Sequence, residues 1–260
     1  MSLTISQLKP FGLDIFSGEG SPLQQVLSGS ELCELVKKYH LVVFRKSKLE
    51  NINTMIDYAK SMGNLLEWEF GTVMEMQEHV NPKNYLFTNG HVPFHWDGAF
   101  HKVPRYLLFY CVQAPLPGCG GETIFTNTQN IYASASREER HEWESLALTY
   151  HTEKLAHYGG CISVPLVDYH PDDGQKILRF AEPVPDTMLN PVHVSVNQLD
   201  AAESSRFIEE MSRRCHLDSN CYTHQWCEDD FLIADNYTLL HARRPYIKEA
   251  PRHLRRIQVV

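Results

Sequence analysis

The sequence has no long apolar run. Its longest candidates are Leu41 to Phe44 and Tyr106 to Val112, far short of the roughly 20 residues a membrane-spanning helix needs. Positive charge is also scarce. Twenty-four Lys and Arg face 32 Asp and Glu, for a net charge of −8, which argues against non-specific binding to a nucleic-acid backbone. Seven cysteines are an odd number at irregular spacing, so no disulfide framework is expected. The opening Met1-Ser2-Leu3-Thr4 lacks the basic and apolar regions of a signal peptide, and the expected location is cytoplasmic. Internal repeats, low-complexity tracts and Gly/Ser linkers are missing too, so residues 1–260 are expected to form a single domain.

What is present suffices for a core, with 43% hydrophobic and 22% charged residues. Ser28 and Glu31 form a capping box, and Leu32, Leu35, Val36 and Tyr39 recur at helical spacing, which predicts an amphipathic helix over 29–39. Leu41 to Phe44 reads as a buried strand, followed by a helix over 53–62 that Gly63 stops. Short β-rich runs then dominate: 65–70, 105–113, 123–125, 147–151, 177–180, 222–226, 231–234 and 254–259. Two further helices are expected, over 129–146 and from the Asp200/Glu203 capping box onward, with Phe207, Ile208 and Met211 facing inward. The pattern predicts a mainly β fold with helices, a sandwich or barrel rather than a doubly wound sheet.

The cations are unevenly spread. Six of them (Arg243, Arg244, Lys248, Arg252, Arg255 and Arg256) fall between His241 and Val260 against one acid, Glu249. Such a segment is either a solvated basic edge or a pocket for small anions.

Fourteen histidines invite a search for metal-ligand spacing. His-x-Asp occurs at His95/Asp97, His170/Asp172 and His216/Asp218, and His-x-Glu at His151/Glu153. Residues i and i+2 share a face only on an extended strand. His170 precedes Pro171 in a turn-like run, and His216 closes a helix. His151 and Glu153 fit a strand, but no anion-binding partner follows at a suitable place. His95 and Asp97 open a β-rich stretch and remain the best pair. A facial triad for non-haem Fe(II) needs a second histidine, and His241 ends an apolar run just before the basic segment. Cys215-His216, Cys221, His224 and Cys227 offer a competing zinc set. Their spacing matches no common zinc pattern, and a strand over 222–226 would splay alternate side chains apart.

Together these residues resemble the TauD/TfdA family of Fe(II)/2-oxoglutarate-dependent oxygenases. The resemblance runs from about Phe11 to Val260 and rests on His95-x-Asp97, Gly120-Gly121-Glu122-Thr123-Ile124-Phe125, His170-Pro171 with Ile177-Leu178-Arg179-Phe180, and His241 followed eleven residues later by Arg252. Within the family it is most similar to the PvcB-like enzymes of isonitrile biosynthesis, through His91 to Gly98, Ile233 to Asn236 with Leu239-Leu240-His241, and Ala250 to Arg256.

The resemblance implies a double-stranded β-helix, or jelly roll, with Fe(II) at its mouth held by His95, Asp97 and His241, and with 2-oxoglutarate and O2 as co-substrates. It implies that Arg252 and Thr123 bind the distal carboxylate of 2-oxoglutarate. Arg256 would bind a substrate carboxylate, although Arg255 or a plain surface role is an alternative. Phe94 and Phe100, with Trp96, would line the substrate pocket, unless they are simply core. Because Asp97 keeps a carboxylate where related halogenases leave room for chloride, halogenation is disfavoured. The implied substrate is a small molecule, an isonitrile of tyrosine or a similar aromatic amino acid, which would be desaturated with or without decarboxylation. A hydroxylase of another small anion and a non-catalytic jelly roll that binds metal or ligand are the competing readings.

Overall fold

Apolar runs too short to cross a membrane are long enough to be strands buried on both faces, and that is how this chain uses them. The computed structural model describes residues 3–22, 25–155 and 158–260. In chain order the elements begin with β1 (Thr4–Gln7), β2 (Leu13–Phe16), α1 (Gly29–Tyr39), β3 (Leu41–Phe44), α2 (Ile52–Lys60), β4 (Val73–Met76), β5 (Val92–His95) and β6 (Tyr106–Gln113). They continue with β7 (Thr123–Asn127), α3 (Thr128–Ser134), α4 (Arg137–Trp143), β8 (Ala147–Leu155), β9 (Tyr158–Pro165), β10 (Val167–Tyr169), β11 (Lys176–Leu178) and β12 (His193–Val196). Last come α5 (Ala201–Cys215), β13 (Cys221–His224), β14 (Phe231–Asp235), β15 (Leu239–Arg243) and β16 (His253–Val259).

A seven-stranded sheet in the order β1-β2-β3-β14-β6-β16-β4 faces a four-stranded sheet in the order β13-β7-β15-β5. Apart from the parallel β2/β3 pair, the neighbours in both sheets are antiparallel. Alternation along each strand explains the unbroken apolar sequences. Leu107, Phe109, Leu232 and Leu254 point between the sheets and meet Phe125 and Leu239. Leu108, Tyr110, Phe231, Ile233 and Ile257 point the other way, against Leu32 and Val36 of α1 and Met55 and Tyr58 of α2. A third core packs α3, α4, α5 and the three-stranded sheet β12-β8-β9 against the outer face of the small sheet. Two facing sheets of this kind form the jelly roll that the resemblance implied.

Two expected elements differ. The run 65–70 is not a strand: Trp68 and Gly71 exchange backbone hydrogen bonds of 3.0 and 2.9 Å, so the chain reverses there, and Gly71 takes the positive φ of 98° that the turn requires. The helix over 129–146 is broken in two, because Ser136 and Glu139 form a second capping box that starts α4 afresh. Met1, Ser2 and Ala156 lie outside the described residues.

The β14–β15 connection matters most for the site. The Asp235 carboxylate accepts from the Tyr237 backbone N–H at 2.9 Å and from the Thr238 hydroxyl at 3.0 Å, and His170 Nε2 lies 2.9 Å away. Burial pushes this carboxyl up, but the hydrogen bond from His170, the nearby His40 imidazole and the charge of Arg105 outweigh it and hold it well below the usual range. A depressed folded-state pKa stabilises the fold above the unfolded value of about 3.9, and that contribution is lost as pH falls through the folded value. Asp235→Asn is therefore expected to cost about 3 to 5 kcal/mol at pH 7, less as pH falls below about 4. Urea unfolding at the two pH values checks this, and an equal cost at both would contradict it.

Candidate active site

His95 ends β5 and His241 lies within β15, directly opposite it in the antiparallel register. Their rings are 4.2 Å apart between centroids. Asp97, two residues beyond His95, brings Oδ1 to 3.7 Å from His95 Nε2 and 3.6 Å from His241 Nε2. Among the described residues this is the one group of three or more His, Cys, Asp or Glu side chains whose ligand atoms all lie within 4.8 Å of one another.

The protonation pattern suits a cation. His95 Nδ1 lies 2.8 Å from the Pro93 carbonyl, and a carbonyl can only accept, so Nδ1 carries the proton and Nε2 offers its lone pair. His241 Nε2 is buried without a hydrogen-bond partner, an arrangement that costs free energy unless something binds there. Burial pulls both imidazoles below their usual pKa, His241 most strongly, which keeps them neutral. Burial pushes Asp97 up, but Arg256, His241, His95 and the Gln258 hydrogen bond bring it below the usual range. Two neutral imidazoles and a carboxylate form the donor set of a facial triad.

Asp97 is gripped from several sides. Arg256 Nη1 donates to Oδ1 at 3.1 Å and lies 2.8 Å from Oδ2, while Gln258 Nε2 donates to Oδ2 at 2.6 Å. The Asp97 backbone N–H donates to Asn236 Oδ1 at 2.9 Å, and Asn236 Nδ2 donates back to the Asp97 carbonyl at 3.1 Å. The turn that follows requires glycine: Gly98 has a φ of 84°, and a Cβ there would sit 2.2 Å from the Lys102 carbonyl oxygen.

A second polar centre lies around Arg252. Its Nε donates to the Gly121 carbonyl at 2.9 Å, and among the described residues it forms no ion pair. Burial, then Arg243, holds the guanidinium below its usual range, so this buried cation calls for an anion. Gly121 makes room for it, because a Cβ there would meet Arg252 Cδ at 2.9 Å. Thr123, two residues on, is buried, and its Oγ1 accepts the Trp226 indole N–H at 3.0 Å. The threonine hydroxyl proton is thereby left to donate elsewhere.

A cavity of about 290 Å³ opens on His95, Asp97 and Arg256 and is walled by Trp68, Phe70, Phe87, Trp96, Phe100 and Tyr150. Phe100 lines this cavity. Phe94 does not: it sits on the face of β5 opposite His95, fully buried, with its ring 4.8 Å from that of His216. The other histidines serve elsewhere. His170 supports Asp235, His216 lies 2.8 Å from Glu182, and His151 is exposed on β8. The cysteine-rich set does not converge, since the Cys221 thiol donates to the Cys215 carbonyl and His224 faces Asp230 at 3.3 Å. Sequence reasoning missed Asn236, Gln258 and Trp68. Gln258 carried a usable signal, because it lies two residues past Arg256 on the same strand face.

Residues 4–258 match the model of the taurine catabolism dioxygenase TauD, TfdA family. The chain belongs to the TauD/TfdA dioxygenase family. It is 44% identical over 260 residues, 99% of this chain and 95% of the relative, to a 3-((Z)-2-isocyanoethenyl)-1H-indole synthase of Fischerella ambigua. It is 31% identical to a tyrosine isonitrile desaturase of Pseudomonas aeruginosa, over 96% of this chain and 87% of that one. The crystal structure of PvcB from Pseudomonas aeruginosa matches with a TM-score of 0.81 and 29% identity over 99% of this chain and 91% of its own. PvcB is described as an Fe, alpha-ketoglutarate dependent oxygenase from an isonitrile synthetic pathway. This TauD/TfdA chain is accordingly an iron- and 2-oxoglutarate-dependent dioxygenase, and both its orphaned His241 Nε2 and its uncompensated Arg252 fit those two groups.

If Arg252 answers the far carboxylate of 2-oxoglutarate, Arg252→Ala removes a charge-assisted partner worth about 2 to 5 kcal/mol. The KM for 2-oxoglutarate is expected to rise at least about tenfold, with Fe(II) binding retained. An unchanged KM in steady-state succinate assays would contradict this.

Proposed function

We propose that this dioxygenase oxidises an isonitrile derived from an aromatic amino acid, desaturating its side chain with or without loss of the substrate carboxylate. The observation that carries this reading is the aromatic cavity opening directly onto His95 and Asp97. An apolar chamber with a few polar groups at one end suits a flat ring bearing a small polar head. Likeness to relatives named for an isocyanoethenyl indole and for tyrosine isonitrile supports the same substrate class.

In this reading His95, His241 and Asp97 would hold iron. With 2-oxoglutarate and O2, iron held there would supply the two-electron oxidant, 2-oxoglutarate being converted to succinate and CO2. Arg252 and the Thr123 hydroxyl orient the far carboxylate of 2-oxoglutarate, with the Arg252 η nitrogens free to act as a fork because Nε is tied to Gly121. Arg256 takes the substrate carboxylate through Nη2, which contacts Met74 Sδ at 3.1 Å. Phe100 and the Trp68 and Phe70 rings hold the substrate ring and exclude water. A small-molecule substrate and a cytoplasmic setting belong to this reading, supported by seven cysteines that are all free thiols.

Tryptophan- or tyrosine-derived α-isonitriles are expected to trigger succinate formation and to yield products lighter by two hydrogens, with or without CO2. Mass spectrometry checks this. A gain of one oxygen alone would replace the desaturase with a hydroxylase, and no turnover with any aromatic isonitrile would discard the substrate class.

A further inference from the structure

Gln258 joins two parts of the site that the reaction needs at the same moment. Its side-chain Nε2 donates to Asp97 Oδ2 at 2.6 Å, and its Oε1 accepts the Trp68 indole N–H at 2.9 Å. Its backbone carbonyl also accepts the Leu66 N–H at 2.9 Å, pinning the start of the Trp68 turn to β16. Trp68, Gln258 and Asp97 all line the aromatic cavity. The Trp68 ring stacks on Phe70 at 6.1 Å and 10° and lies 5.3 Å from His101, while Phe70 stands 54% exposed at the edge.

The chemistry of this chain fixes its direction. An indole N–H can only donate and an ionised carboxylate can only accept, so a side chain that links them must offer one acceptor and one donor. A glutamine amide does this in one orientation only. With Oε1 held by Trp68, Nε2 must face Asp97. Without the indole N–H the amide is still drawn to the carboxylate by Nε2, but Oε1 loses the Trp68 donor that fixes where the amide sits. Gln258 and Arg256 both hold Oδ2, and Oδ1, which also receives Arg256 Nη1, faces the two imidazoles.

We propose that Gln258 is a positioning residue that transmits the placement of the Trp68 wall to the metal-facing carboxylate of Asp97. A substrate ring resting on Trp68 and the carboxylate oxygen presented to iron are then coupled through one amide. The inference rests on the triad reading above and adds to it a link between the ring pocket and the metal ligand.

A double-mutant cycle on metal affinity tests it, with Co(II) titrated calorimetrically into metal-free protein. Loss of an outer hydrogen-bond partner of a ligand typically weakens metal binding about 10- to 100-fold, and Gln258→Met is expected to fall in that range. Trp68→Phe keeps the ring and deletes the N–H; it is expected to weaken Co(II) binding by about threefold or more in the wild-type background and not at all in Gln258→Met. A merely structural Gln258 would lower the melting temperature without moving Co(II) affinity, which would overturn the proposal. So would effects of the two substitutions that multiply. Should Gln258→Met fail to fold, Trp68→Phe decides the matter by itself, since unchanged Co(II) affinity overturns the relay. Failure of wild-type protein to bind Co(II), or equal binding by His241→Ala, would overturn the triad and the relay with it. Tight wild-type binding with multiplying effects overturns the relay alone.

Discussion

A carboxylate buried between two β-sheets stays ionised only if cations and donors surround it, and Asp97 collects these from both sheets. Arg256 and Gln258 reach it from β16 of the large sheet, while His95 and His241 flank it from the small one. Asn236, in the turn between a strand of each sheet, locks its backbone. The Arg256 and Gln258 contacts require the two sheets to face one another at a fixed distance, so the jelly roll is the means by which a carboxylate set beside two imidazoles on the small sheet is kept ionised. A His-x-Asp sequence by itself makes no such site, as the other two in this chain show: His170 turns to Asp235 and His216 to Glu182.

The two polar centres divide the work because their surroundings differ. Around Asp97 the positive groups are balanced and one buried imidazole nitrogen is left over. Around Arg252 the balance runs the other way, with a buried guanidinium that no carboxylate of the described residues answers. The first therefore has room for a cation and the second calls for an anion, the two kinds of group that the proposed iron and 2-oxoglutarate would supply. The aromatic cavity adjoins the metal-facing side and forms a compartment of its own.

Much of this was legible in the sequence. The strand runs were clear because they are apolar on both faces, and α1 and α5 were clear because their capping boxes and apolar stripes agree. His95 and Asp97 could be separated from the His170 and His216 pairs by local conformation alone. Their union with His241 could not be read that way, because it depends on cross-strand register over a long loop. Phe94 shows the opposite failure: nearness in sequence to His95 suggested the pocket, whereas the strand period of two sends it into the core behind. The turn at Trp68 was hidden because its residues are apolar and aromatic enough to read as a strand. Gln258 was half legible: its place two residues past Arg256 on one strand face put it beside the site, but its two partners, Asp97 and Trp68, come together only in the fold.

The most direct measurement is an anaerobic crystal structure with Fe(II) and 2-oxoglutarate. The account requires one iron bound by His95 Nε2, His241 Nε2 and Asp97 Oδ1, with Gln258 still on Oδ2 and Arg252 on the far carboxylate of 2-oxoglutarate. Iron held by any other side chains, or a 2-oxoglutarate carboxylate that leaves Arg252 unpaired, would contradict it.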